Sequence, residues 1–66
     1  MNKDGDIFLT KDDVSRLFKC KSDKALRIMR FIYENGAGYK LGNQYYIKEG
    51  DFYDFMNQYK GRVIMI

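Results

Sequence analysis

Apolar positions along this chain fall into short groups whose spacing changes from helical to alternating and back. Ile7-Phe8-Leu9 opens the pattern as a brief apolar run, suited either to a short strand or to anchoring the start of the fold. Val14, Leu17 and Phe18 follow at i, i+3 and i+4, the spacing of one buried helical stripe. Thr10 stands where an N-cap belongs and Asp13 completes a capping box three residues on. Asp12 and Asp13 also suit the positive end of the helix dipole. A second helix is predicted from Ser22, read as its cap, to Asn35-Gly36, a usual left-handed stop. Projected at about 100° per residue, Ala25, Leu26, Met29, Ile32 and Tyr33 share one side. Asp23, Arg27, Arg30 and Glu34 share the other, and Lys24 flanks them. Phe31 falls toward the polar side, either to pack against the hairpin or tail or to touch a partner.

The period then shortens. Tyr39-Lys40-Leu41 and Gln44-Tyr45-Tyr46-Ile47 flank Gly42-Asn43, which predicts a two-residue hairpin with a type II′ turn. A third helix is predicted from Glu49 or Gly50, with Phe52, Phe55, Met56 and Tyr59 as its apolar stripe and Gly61 as its stop. Arg62-Val-Ile-Met-Ile66 ends the chain as an apolar tail. It either packs back on the core or meets another copy of the chain. Gly36, Gly38 and Gly42 do not make a phosphate-binding glycine loop: the segment leaves a helix rather than a strand, and no βαβ unit fits after it.

A length of 66 residues allows a single domain, with residues 1–6 read as a loose, polar arm. A core of this size supports only about 3–5 kcal/mol of stability. One Cys and no His exclude a disulfide framework and a zinc site of the usual Cys/His kind. No apolar run approaches membrane-spanning length and no signal-peptide pattern opens the chain, so the expected setting is cytoplasmic. Charge adds a sharper feature. Arg16, Lys19, Lys21, Lys24, Arg27 and Arg30 face only Asp23 within residues 16–30, a net +5 in a chain whose total is +3. The bland reading is a solvated helix face. The coincidence with the second helix of a pair favours a nucleic-acid footprint.

The order helix, tight turn, basic helix, hairpin, short helix resembles the excisionase-like winged helix-turn-helix family, relatives of the MerR-type DNA-binding domain. The resemblance spans about residues 7–59. Its carriers are Phe8-Leu9-Thr10-Lys11-Asp12-Asp13, the hydroxyl-headed basic helix from Ser22 to Gly36, and Leu41-Gly42-Asn43-Gln44-Tyr45-Tyr46-Ile47 followed by Phe52. The resemblance implies an α+β fold of three helices with a two-stranded hairpin wing. It also implies one of two roles. One is an architectural DNA-binding protein of a mobile element that biases an integrase or other recombinase toward excision; the other is a small transcriptional regulator. Two departures stand out. Gln44 occupies the wing position where many members carry Arg, and the turn Lys19-Cys20-Lys21 lacks the more apolar, Gly-containing family pattern. Cys20 is read as a small buried turn residue with no reactive role.

Double-stranded DNA is thus the first candidate partner. Lys21, Lys24, Arg27 and Arg30 are placed on and before the recognition helix, and Ser22 with the helix N-terminus is placed on a phosphate. Lys40, Asn43 and Gln44 are the wing candidates. Self-association on DNA through Val63, Ile64, Met65 and Ile66 is a further expectation. The rival is a protein-binding anti-repressor or inhibitor module using Phe31 and the tail. An enzyme is not expected, because the residues of the usual acid–base and nucleophilic constellations are missing.

Overall fold

The computed structural model describes residues 7–66. The expectation of a loose arm at residues 1–6 lies outside them. The elements are β1 (Phe8–Leu9), α1 (Lys11–Phe18), α2 (Ser22–Glu34), β2 (Tyr39–Leu41), β3 (Gln44–Lys48) and α3 (Glu49–Gln58). This is a small α+β, winged-helix-like arrangement, with one difference from the expected two-stranded wing. The opening apolar run is a true strand: Phe8 pairs with Lys48 and Leu9 with Ile47, both antiparallel, giving a three-stranded sheet in the order β1-β3-β2. The Ile7 carbonyl accepts the Glu49 amide at 2.8 Å, which extends the pairing to the start of α3.

α1 begins as its sequence requires. The Asp13 carboxylate accepts the Thr10 backbone N–H at 2.9 Å and lies 3.3 Å from its hydroxyl, within a capping box. That backbone hydrogen bond, helped by the Arg16 guanidinium, holds the Asp13 carboxyl below its ordinary pKa. The helix ends in a Schellman turn. Cys20 N–H donates to the Ser15 carbonyl at 3.0 Å and Lys19 N–H to the Arg16 carbonyl at 3.4 Å, and the Ser15 hydroxyl donates to the Cys20 carbonyl. Lys19 carries the left-handed residue of this turn at φ 52, where glycine is the usual occupant. Lys19→Gly is therefore expected to raise stability by about 0.5–1 kcal/mol, the left-handed penalty less the entropy that glycine adds to the unfolded chain. A melt should move up by roughly 2–8 °C. A downward shift would mean that the Lys19 side chain packs usefully.

The core draws on every element except β2: Leu9, Val14, Ala25, Ile28, Met29, Ile32, Ile47, Phe52 and Phe55. Its composition corrects two expectations. Leu17 and Phe18, on the last turn of the eight-residue α1, are half exposed, and the Phe18 ring lies 6.1 Å from that of Phe52 at the margin of the core. On α2 the buried stripe is Ala25, Ile28, Met29 and Ile32, while Leu26 is partly covered and Tyr33 is exposed. The stripe is rotated toward Ile28 because α3 lies on that side. Phe31 stands edge-on to Phe55 at 5.8 Å and to Tyr59 at 5.6 Å, so α3 covers it rather than the hairpin. Cys20 packs against the core only in part and keeps some exposure.

The hairpin closes as its dipeptide demands. Leu41 pairs with Gln44 across a two-residue loop, with Gly42 at φ 62 and no positive φ at Asn43, which is the type II′ form. Gly38 serves a different need. It sits at φ 77, and a Cβ there would stand 2.7 Å from the Tyr46 carbonyl oxygen and 3.3 Å from the Ile47 Cβ. α3 ends after Gln58, with Gly61 left-handed just beyond it.

Candidate nucleic-acid interface

The residues expected to contact DNA are all exposed, and the fold divides them between three places. The first is the start of α2. Ser22 is not its cap: Ser22 already has helical backbone, and the extended residue before it, Lys21, is the N-cap, its carbonyl accepting the Ala25 amide at 3.0 Å. No side chain caps this helix. The amides of its first turn therefore have no side-chain acceptor, and the Ser22 hydroxyl sits beside them. Around this end Lys19, Cys20, Lys21, Asp23, Lys24 and Arg27 line one open depression, four cations against one carboxylate.

The second place is the outer stripe of α2. Arg27 and Arg30 lie between Asp23 and Glu34 on the same face, so the stripe reads acid, base, base, acid along about 16 Å of helix. Arg27, Arg30, Phe31 and Glu34 line a second open depression together with Met65 and Ile66. The tail thus runs beside the outer face of α2, with Ile64 partly buried and Ile66 44% exposed, while Val63 and Met65 stand almost fully in solvent. It neither packs wholly on the core nor projects wholly away. Arg16, the remaining cation of the basic window, is tied to Asp13 at 2.6 Å. Lys21, Lys24, Arg27 and Arg30 form no ion pair with another described residue.

The third place is the hairpin. Lys40 pairs with Tyr45 on the inner face of the sheet, and its ammonium lies over the Tyr45 ring at 5.5 Å. The Tyr45 ring meets Tyr33 at 5.6 Å, which leans the hairpin on the last turns of α2. Asn43 is at the tip. Gln44 belongs to the opposite face, with Leu41 and Tyr46. The arrangement therefore brings Lys21, Ser22, Lys24 and Arg27 together, extends them through Arg30, and sets Lys40 and Asn43 at the far end of the same helix.

Sequence reading passed over one surface, the outer face of the sheet, where Phe8, Tyr39, Leu41 and Tyr46 line a shared apolar depression. The signal was present: once Ile47 is assigned to the core, strand alternation turns Tyr46 and its cross-strand partner Tyr39 outward. Among the described residues no three His, Cys, Asp or Glu are grouped to hold a metal ion, and no helix is long and apolar enough to cross a membrane. Comparison with protein-family models, with curated proteins and with solved structures finds no match to this chain.

Proposed function

We propose that this chain binds duplex DNA, with α2 as the recognition helix and the hairpin as its wing, in the architectural manner the excisionase resemblance implies. The observation that carries the reading is the uncapped start of α2, its first-turn amides ringed by Lys19, Lys21, Lys24 and Arg27. Amides and the helix dipole favour a phosphate oxygen there, and the cations supply the counterion-displacing charge that backbone binding needs. Arg27 and Arg30, further along the exposed stripe, reach past the backbone toward base edges, where guanidinium matches guanine bidentately. Lys40 and Asn43 supply the wing contact, and Gln44, on the other sheet face, contributes less. The competing protein-binding reading rests on Phe31 and the apolar tail; the Phe31 ring packs edge-on against Phe55 and Tyr59, which leaves it less surface to offer a partner.

Fluorescence anisotropy with a labelled duplex, repeated across salt concentrations, tests this directly. Neutralising several phosphates gives an expected log–log slope of roughly −3 to −5 per domain. No binding at low salt, or an affinity indifferent to salt, refutes the DNA reading.

A further inference from the structure

We propose that the outer face of the sheet is a self-association surface, on which a second copy of this chain packs face to face. Phe8 on β1, Tyr39 and Leu41 on β2 and Tyr46 on β3 form one continuous apolar area. Phe8 is 44%, Tyr39 50% and Leu41 65% exposed, and the Phe8 and Tyr39 rings approach to 6.1 Å across the central strand. Nothing else among the described residues covers them.

Area and edge chemistry choose the occupant. The half-exposed side chains of Phe8, Tyr39 and Leu41 each offer on the order of 100 Å², and with the partly covered Tyr46 between them and the stems of Gln44 and Lys48 at the rim the face offers about 500 Å². Two copies then bury about 1,000 Å² together, the lower limit for a specific and reversible interface. Strand addition at the β2 edge is a poorer route. In a two-residue hairpin the Leu41–Gln44 and Tyr39–Tyr46 pairs exchange backbone hydrogen bonds, leaving only Lys40 to present its backbone outward, a single and charged position. Stacked faces avoid that edge. A two-fold axis setting the β3 strands antiparallel brings each Gln44 end over the other copy's Lys48 end and keeps the two lysines apart.

The placement matters because α2 packs on the inner face of the sheet through Ala25, Ile28, Met29 and Ile32, so Arg27 and Arg30 point away from the paired sheets. The dimer carries its two α2 faces on opposite sides and holds two duplexes rather than two adjacent half-sites. This last consequence rests on the proposed DNA binding; the dimer itself does not.

Sedimentation equilibrium of the full chain without DNA, from about 10 µM to about 1 mM, reads the dimer directly in the range where an interface this small associates. The weight-average mass is expected to climb toward twice the chain mass. Leu41→Lys should hold it at the monomer value throughout, with an unchanged circular dichroism melt. Tyr39→Thr, which keeps strand propensity, should weaken association by roughly tenfold. Removal of residues 63–66 should leave it intact. A wild-type chain that stays monomeric at the highest concentration overturns the proposal. So does a dimer that survives Leu41→Lys and Tyr39→Thr or disappears with the tail. Because no DNA is present, failure here leaves the salt-dependence test of DNA binding untouched.

Discussion

Replacing Lys24 and Arg27 together by alanine is expected to weaken duplex binding by about 2–5 kcal/mol while leaving the melt within a degree or two of wild type. Both side chains line the depression at the start of α2, and both are exposed. Removing them deletes charge and hydrogen bonding from the contact surface without opening a hole in the core. Part of the loss should fall equally on all sequences, as Lys24 meets phosphate. The Arg27 share should be sequence-selective if it reads a base. Met29→Ala is the contrasting variant. Met29 is 2% exposed, so its truncation leaves a cavity that costs roughly 2–4 kcal/mol of a small total. Its binding per folded molecule should be normal. Anisotropy titrations paired with circular dichroism melts separate the cases. If all three substitutions lowered the melting temperature alike, or if the double variant bound DNA normally, α2 would not be the reading helix.

Gly38→Ala is expected to be the most damaging single-methyl change in the chain, about 3 kcal/mol or more. Two penalties meet there. The backbone is left-handed at φ 77, and the new Cβ would stand 2.7 Å from the Tyr46 carbonyl oxygen, an atom of the central strand that cannot swing aside as a side chain tip can. At about 4–8 °C per kcal/mol for a domain of this size, the melt should fall by roughly 12–24 °C. Gly42→Ala makes the comparison internal. Its φ of 62 carries the conformational penalty, but nothing lies within 4 Å of a Cβ there. It should lose only about 1–2 kcal/mol. Equal losses at the two positions would show that close approach to β3 is unimportant.

What could be read in advance follows how local each signal is. The start of α1 needs only Thr10 and Asp13, three residues apart, and the II′ turn needs only Gly42 and its neighbour. Both formed as their chemistry implies. The face of α2 was harder. The periodicity is equally content to bury Leu26 and Tyr33 or Ile28 and Phe31, and only the arrival of α3 on the Phe31 side selects the second. Ser22 was misplaced by a single residue for a related reason. A hydroxyl marks the neighbourhood of a helix start but fixes its boundary only to within a residue or two, and the extended backbone of Lys21 decides the position. Strand β1 was ambiguous because its partners Ile47 and Lys48 lie at the other end of the chain. For the candidate site, the cations of α2 were legible as a cluster. Their division, with Arg16 withdrawn by Asp13 and Arg30 beside Glu34 and the tail, depended on three-dimensional neighbours.

The pairing of β1 with β3 has a temporal side. Phe8 is synthesised before both helices of the pair, yet its partner Lys48 follows only after them and most of the hairpin. Until then Leu9 has no Ile47 to close over it, and the inner faces of Val14, Ala25 and Met29 stand without their sheet. The helices and hairpin, built from near neighbours, can flicker into shape early. The long loop between Phe8 and Lys48 must be closed against chain entropy before Ile47 and Phe52 reward it. The two-residue strand that looks least important in the finished molecule is therefore the clasp whose closure joins the first and last parts of the core.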